Sequence, residues 1–283
     1  MIIRCQKEDE KIIESYIGTE YYKCLYLYMN LQRYGTGSQA IDVYMDKFEN
    51  KIKAVYLFYF SCVHVYSIDN DFSVPELKEL LKSHPIKMIY CEKSTAEYIG
   101  GNYSSSERPF TITYGWVAEI TNVDEKHRES VQLASANDFK QIVQMIYGDE
   151  DIGKSYNKNE LAEQLLQRSK EGYSRNYVIK KNDVVIAHAC TNAEIDGVAI
   201  VAELIVNKEY RRRGYALEIW RAICEEVLKE GKRVFSFYYS NESRNLHKKV
   251  GFHEVCEWGK LYLIIITWRY KYVEFYSWTG YVR

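Results

Sequence analysis

The sequence has almost no excess of charge of either sign. Its 283 residues include 38 Lys and Arg and 39 Asp and Glu, so the formal net charge is −1. Proteins that bind nucleic acids or other polyanions in general carry a clear basic excess. The balance therefore argues against a nucleic-acid partner, and any anion site must be local. Hydrophobic residues make up 47% of the chain, enough for one large domain or two of ordinary size.

Paired cysteines, metal-ligand spacings and long apolar runs are also missing. The seven cysteines are scattered, without a C-x-x-C pair, and the six histidines lack the spacing of metal ligands. We therefore expect reduced thiols and no metal site. The first residues, MIIRCQKEDEKIIE, are too charged for a signal peptide, and the run LYLIIITW is too short to span a bilayer. These features predict a cytoplasmic protein without a membrane partner.

The order of predicted elements favours a mixed sheet. A helical pattern over residues 8–33 precedes several strand-like runs, and the charged stretch 121–130 connects two halves. The second half then has two amphipathic helices, a hairpin, a buried strand, a long helix, a strand, a short helix and final strands over 252–276. Such an order predicts an α/β or α+β domain with at least one parallel crossover.

Three arginines stand directly before Gly214, between a strand and a helix. The strand is VAIVAELIV, and apolar residues at helical spacing follow the glycine: Leu217, Trp220, Ile223, Cys224, Val227 and Leu228. A glycine there lets the backbone turn, and the N–H groups at a helix start attract phosphate. The alternative interpretation is an ordinary solvated basic turn.

Two motifs resemble those of the GNAT superfamily of acyl-coenzyme-A-dependent N-acyltransferases. The family signature Q/R-x-x-G-x-G/A stands here as RRRGYA, Arg211–Ala216, with the family's valine five residues earlier at Val206. A later family element, lysine-x-glycine-phenylalanine after a short helix, is matched by LHKKVGF at 246–252. The resemblance covers roughly residues 131–265, about half of the chain.

The resemblance implies an α/β (α+β) fold with a mixed, mostly antiparallel sheet and flanking helices. Residues 126–283 would form the acyl-CoA-binding catalytic domain. Residues 1–125 repeat much of the element order, so we expect a smaller GNAT-like α/β domain, a degenerate copy that shapes the acceptor side. Its junction IDNDFSVPELKELL has Asp69 and Asp71 but neither glycine nor arginine. Because the two carboxylates would repel a pyrophosphate, we expect no CoA site in this half.

The resemblance also implies the substrates. Acetyl-CoA or another acyl-CoA would be the co-substrate, and an amine of a small molecule or peptide would be the acceptor. The loop would hold the pyrophosphate, the strand end would pair with the pantetheine arm, and Asn241 would bind the cofactor's amides or else cap a helix. The expected cofactor-binding residues are Leu204, Ile205, Val206, Arg211, Arg212, Arg213, Gly214, Tyr215, Ala216 and Asn241.

Departures from the family pattern affect the catalytic residues. Glu203 is the nearest carboxylate on the strand and the candidate base; the alternative is an edge charge or a structural partner of an arginine. Some members use a carboxylate at the position of Ile200, in which case the base here would be a water reached through another residue. His247 replaces the usual tyrosine and is the candidate acid, the alternative being a surface histidine. Ser240 stands where members often have asparagine, and Lys208 where they have proline.

Three functions fit these observations. The first is an acyl-CoA-dependent N-acyltransferase, in particular an N-acetyltransferase. The second is a non-catalytic acyl-CoA-binding or regulatory module, suggested by the missing tyrosine and upstream carboxylate. The third is a tandem transferase that uses aminoacyl-tRNA, against which the cofactor loop and the neutral charge argue.

Overall fold

The computed structural model describes residues 1–102, 110–123, 130–149, 153 and 158–263. Within these residues the chain forms one twelve-stranded sheet with helices on both faces. The strands are β1 (Ile2–Arg4), β2 (Asp42–Phe48), β3 (Lys51–Tyr59), β4 (Cys62–Tyr66), β5 (Met88–Glu92), β6 (Phe110–Ile120), β7 (Val131–Leu133), β8 (Asn176–Lys181), β9 (Val184–Ile195), β10 (Val198–Val206), β11 (Arg233–Tyr238) and β12 (His253–Leu263). The helices are α1 (Glu10–Ile17), α2 (Leu25–Tyr34), α3 (Val74–Lys82), α4 (Lys93–Asn102), α5 (Phe139–Gly148), α6 (Lys158–Lys170), α7 (Tyr215–Lys229) and α8 (Asn241–Val250).

The two halves of the chain exchange strands within this sheet. The spatial order is β1-β2-β3-β4-β5-β12-β6-β11-β10-β9-β8-β7. Strand β12, from the second half, lies between β5 and β6, and β6, from the first half, lies between β12 and β11. Among the strands that the structure describes, only the pairs β4–β5 and β10–β11 are parallel. The prediction of a mixed, mostly antiparallel sheet with flanking helices is confirmed.

Some predicted boundaries were wrong or fall outside the described residues. The single helix expected over 8–33 is broken, because Gly18 adopts the left-handed conformation (φ 62°) after α1 and a 3-10 segment, Gly18–Cys24, precedes α2. Residues 124–129 of the predicted connection and the strands expected beyond Leu263 lie outside the described residues.

In the part of the sheet formed by the second half, α7 covers one face, and α5, α6 and the first-half helix α2 cover the other. The predicted apolar face of α7 is buried, with Ile219, Ile223 and Val227 fully enclosed against β8–β11. On the other face, Leu25 and Met29 of α2 pack beneath Phe235, so the first half covers part of the second. Burial of such side chains contributes about 1.5–3 kcal/mol each to folding. No described helix is long and apolar enough to cross a membrane.

Candidate functional site

The parallel strands β10 and β11 separate part of the way along. Their pairing ends at Val201 opposite Ser236, although both strands continue. The cause is a bulge in β10: its register against β9 shifts between Ala202 and Ile205, and Glu203 has a φ of 57°. We call the space between β10 and β11 beyond the Val201–Ser236 pair the strand gap.

The backbone of β10 offers hydrogen-bonding groups to this gap. Asn207 N–H donates to the Ile186 carbonyl (2.9 Å), so Asn207 faces β9. Because backbone groups alternate in an antiparallel strand, those of Val206 face the gap, and its carbonyl accepts a hydrogen bond from Arg211 Nε (3.0 Å). Ile205 instead lies opposite His188 in β9, and its side chain is buried. Of the predicted pantetheine-pairing residues, Val206 is thus well oriented and Ile205 is turned away.

Helix α7 begins without a described cap. Its first position follows Gly214, which has a φ of 90° and no side-chain cap hydrogen bond. Among the described residues no backbone acceptor binds the N–H groups of Tyr215 and Ala216. A Cβ built on Gly214 would have no atom within 4 Å, so the left-handed conformation, and not crowding, requires glycine here. These N–H groups can therefore receive an anion.

Positive charges surround that helix start. Arg212 and Arg213 are exposed, and the Arg213 guanidinium lies 5.4 Å from the centre of the Tyr210 ring. Lys181, from the β8–β9 hairpin, approaches the Tyr215 ring at 5.3 Å. Arg211 differs, since it ties the loop to β10 and lies 3.3 Å from Asp149. Arg211 thus holds the loop through these two contacts, and Arg212 and Arg213 lie in the exposed part of the loop before the helix start. The cofactor contacts of all three arginines stay predictions.

Glu203 lies in a small cluster on the face of the sheet opposite α7. The Cys190 thiol donates to Glu203 Oε2 (3.5 Å), and the donor atoms of His188, Cys190 and Glu203 all lie within 4.8 Å of one another. Burial raises the pKa of Cys190 well above its ordinary value and lowers that of His188 to about 4. At neutral pH both groups are uncharged, and Glu203 supplies the carboxyl group of the cluster. Three donors at this spacing are compatible with a metal ion, so the expected absence of a metal site stays a prediction.

His247 is buried, and the alternative interpretation of a surface histidine was wrong. Only 4% of the residue is exposed, because α8 turns it into the core beside Trp220. Its Nδ1 lies 2.7 Å from the Ser243 carbonyl and must donate, so Nε2 accepts from the Ser236 hydroxyl (2.9 Å). Burial lowers its pKa to about 4. His247 therefore adjoins the closed end of the strand gap as a neutral imidazole.

Ser240, and not Asn241, caps α8. The Ser240 hydroxyl accepts a hydrogen bond from the Ser243 N–H (3.1 Å), while Asn241 is the exposed first residue of the helix. The capping role considered for Asn241 was wrong. Its contact with a cofactor stays a prediction.

The sequence did not identify a tyrosine from the first half that covers the strand gap. The ring of Tyr26 in α2 stacks on Phe237 (centroids 4.9 Å apart), the residue just beyond the last β10–β11 pair. Asn192 Nδ2 donates to the Tyr26 hydroxyl (3.4 Å), and Arg168 of α6 donates to Asn192 Oδ1. Among 27 tyrosines no local pattern marks Tyr26, since Phe237 and Asn192 are more than a hundred residues away.

The corresponding position of the first half is closed to an anion. Strands β4 and β5 are parallel, and α3 connects them as α7 connects β10 and β11. However, the Ser73 hydroxyl accepts from the Glu76 N–H (3.3 Å), Pro75 occupies the first turn, and Lys53 pairs with Asp71. The helix start is satisfied within the protein, and a carboxylate lies near it.

Comparison with known proteins agrees with this geometry. The family model of the acetyltransferase (GNAT) family matches residues 139–252. No curated protein matches the chain. A Drosophila protein of known structure has 12% identity and a TM-score of 0.67, over 94% of this chain and 99% of its own. A GCN5-related N-acetyltransferase from Sphaerobacter thermophilus has 12% identity and a TM-score of 0.59, over 92% and 94%.

A third similar structure is described as a tandem protein. It is a tandem GNAT protein from the clavulanic acid biosynthesis pathway, with 10% identity and a TM-score of 0.57 over 92% of this chain and 97% of its own. At these identities the likeness concerns the fold alone, but it extends over both halves. The chain thus has a GNAT-like fold that spans both halves, and residues 139–252 of the second half match the acetyltransferase (GNAT) family.

Proposed function

We propose that the protein is an acyl-CoA-dependent N-acyltransferase that moves an acetyl or other acyl group to the amine of a small molecule or peptide. The observation that carries the proposal is the strand gap together with the uncapped start of α7. A bulged strand end with outward backbone groups leads directly to a cationic loop whose N–H groups lack described acceptors. Such a path fits an extended pantetheine arm that ends in a pyrophosphate.

In this proposal the backbone from Arg212 to Ala216 binds the pyrophosphate, and Arg212 and Arg213 add positive charge. Val206 pairs with the pantetheine, and the thioester lies near the bulge at Glu203. Asn241, at the start of the neighbouring helix, contacts the cofactor. Much of the acceleration then comes from orientation, because a thioester is already reactive.

The chemistry requires two proton movements. The amine nitrogen forms a bond to the thioester carbon, its proton passes to Glu203 directly or through water, and the carbon–sulfur bond then breaks. The leaving thiolate takes a proton from a neighbouring donor. His247 adjoins the closed end of the gap through Ser236, but its pKa of about 4 means that it is neutral in the free protein. It would donate only if the thiolate raises that pKa.

The different functions of the two halves follow from the N-termini of α3 and α7. We assign CoA binding and catalysis to residues 126–283, and the acceptor side to residues 1–125, whose own helix start is capped by Ser73. The continuous sheet joins the two functions in one body. All seven cysteines are free, as suits the cytoplasm, and the reaction involves no nucleic acid.

A second candidate function is an acyl-CoA-binding module without catalysis. The buried, neutral His247 favours it, since no imidazolium is available as an acid. A thiol-detection assay separates the two candidates. CoA release from acetyl-CoA that depends on an added amine supports the enzyme. Calorimetric binding of acetyl-CoA without release for any amine supports the module, and absence of binding contradicts both.

A further inference from the structure

An acceptor amine can approach the strand gap from only one face of the sheet. Along β9, Ala187 and Ala189 pack under α7, so the alternating His188 and Cys190 face the opposite side. Glu203 contacts Cys190 and therefore lies on that side too. Because the side chains of α7 fill the first face, the amine must arrive on the face covered by α2.

The Tyr26 side chain lies over that approach, and contacts with neighbouring side chains fix its position. Besides stacking on Phe237, its ring lies 5.6 Å from that of His64. The segment before α2 is anchored to the second half, because the Arg233 guanidinium donates to the Tyr21 hydroxyl (2.7 Å) and to both oxygens of Glu119. The first half thus places an aromatic ring and a hydroxyl over the reacting end of the gap.

Arg168 places a positive charge near Tyr26, on the same side of the approach. The Arg168 side chain, on α6, donates a hydrogen bond to Asn192, and its guanidinium lies 5.8 Å from the centre of the Tyr59 ring. Burial raises the pKa of both Tyr26 and Cys190, and the nearby Arg168 charge partly opposes that effect at each. The approach therefore brings together a carboxyl group, Glu203, and a guanidinium, Arg168, which both lie close enough to Tyr26 and Cys190 to act on them electrostatically.

We propose that the acceptor is an amino carboxylate. Its amine contacts Glu203, its carboxylate is bound by Arg168, and the Tyr26 ring packs against the carbon atoms that join the two groups. Opposite charges within one approach match a ligand that carries both charges a few bonds apart. Guanidinium and carboxylate form strong, geometrically specific hydrogen bonds. This inference rests on the proposed transferase function.

The test uses the full chain, acetyl-CoA and acceptors that differ only in the carboxylate. The pairs are glycine and methylamine, β-alanine and ethylamine, and tyrosine and tyramine, extended by the other common amino acids. Release of CoA gives kcat/KM, and thermal shift with CoA present reports binding without turnover. We expect kcat/KM for at least one amino carboxylate to exceed that of its paired amine by about tenfold or more. A hydrogen bond to a charged group contributes a free energy that corresponds to a factor of this size.

The variant Arg168→Gln should abolish this preference by raising KM for the amino carboxylate, with little change for the amine, and Arg168→Lys should restore part of it. Lys170→Gln removes an exposed charge from the same helix and should leave the preference unchanged. Tyr26→Ala should raise KM for both members of a pair, and Tyr26→Phe less so.

Three results would overturn the inference while leaving acetyl-CoA binding intact: equal kcat/KM within every pair, an unchanged preference in Arg168→Gln, or no turnover and no thermal shift with any amino carboxylate. Failure of the parent protein to bind acetyl-CoA in calorimetry would instead contradict the proposed function.

Discussion

Replacing Gly214 with alanine should weaken CoA binding by more than it weakens the fold. Gly214 has a φ of 90°, so a Cβ there costs about 1–2 kcal/mol of backbone strain. For a protein of this size such a loss lowers the thermal midpoint by roughly 2–8 °C. Because a Cβ meets no protein atom within 4 Å, the substitution is tolerated unless a ligand lies against the backbone.

Gly231 provides a matched control at the other end of α7. It also has a left-handed φ, 77°, and open space around a built Cβ. Gly231→Ala should lower the thermal midpoint by a similar amount without changing the Kd for acetyl-CoA. Gly214→Ala should raise that Kd by about tenfold or more if pyrophosphate contacts the loop backbone. Equal Kd values for the two variants and the parent would refute the assignment of the loop.

Further outcomes are expected for Glu203, for His247 and for acid. Glu203→Gln should lower kcat by roughly 10²–10⁴ with little effect on acetyl-CoA affinity, and an unchanged kcat would remove Glu203 as the base. His247→Ala should lower kcat and alter its pH profile and, because the residue is buried, should also lower the thermal midpoint; a lower midpoint with normal kcat would leave it a structural role alone. Burial lowers the pKa of His64 to about 3 and those of His188 and His247 to about 4, so the unfolded chain binds more protons between pH 6.5 and 4. The thermal midpoint should therefore fall as the pH drops through this range, and a constant midpoint would contradict the neutral, buried state of these imidazoles.

The features that the sequence could predict depend on neighbouring residues. The apolar spacing after Gly214 correctly places α7, and the glycine and arginines mark a loop that the structure leaves uncapped. The polar capping of α3 likewise agrees with the absence of glycine from that junction. Local propensity and periodicity suffice for such features, since each involves residues within a turn or two.

The remaining features depend on partners far away in the chain. No pattern in β12 distinguishes pairing with β5 from pairing within its own half, because strand periodicity specifies a buried face and not a neighbour. Tyr26 is placed over the strand gap by contacts with Phe237 and Asn192, which a local reading cannot supply. The charged neighbours of His247 in the sequence, Lys248 and Lys249, favour an exposed position, whereas α8 turns the residue inward.

The strand exchange has a consequence for biosynthesis. Both neighbours of β6, the strands β11 and β12, are made more than a hundred residues after β6 itself. At a synthesis rate of about 5–20 residues per second, β6 waits roughly 5–30 s for its first partner. During that time both of its edges are open, as is the β5 edge that later receives β12, and open edges invite pairing with other chains. We therefore expect the nascent first half to be prone to such pairing, and codon choice between residues 120 and 233 to influence the yield of native protein.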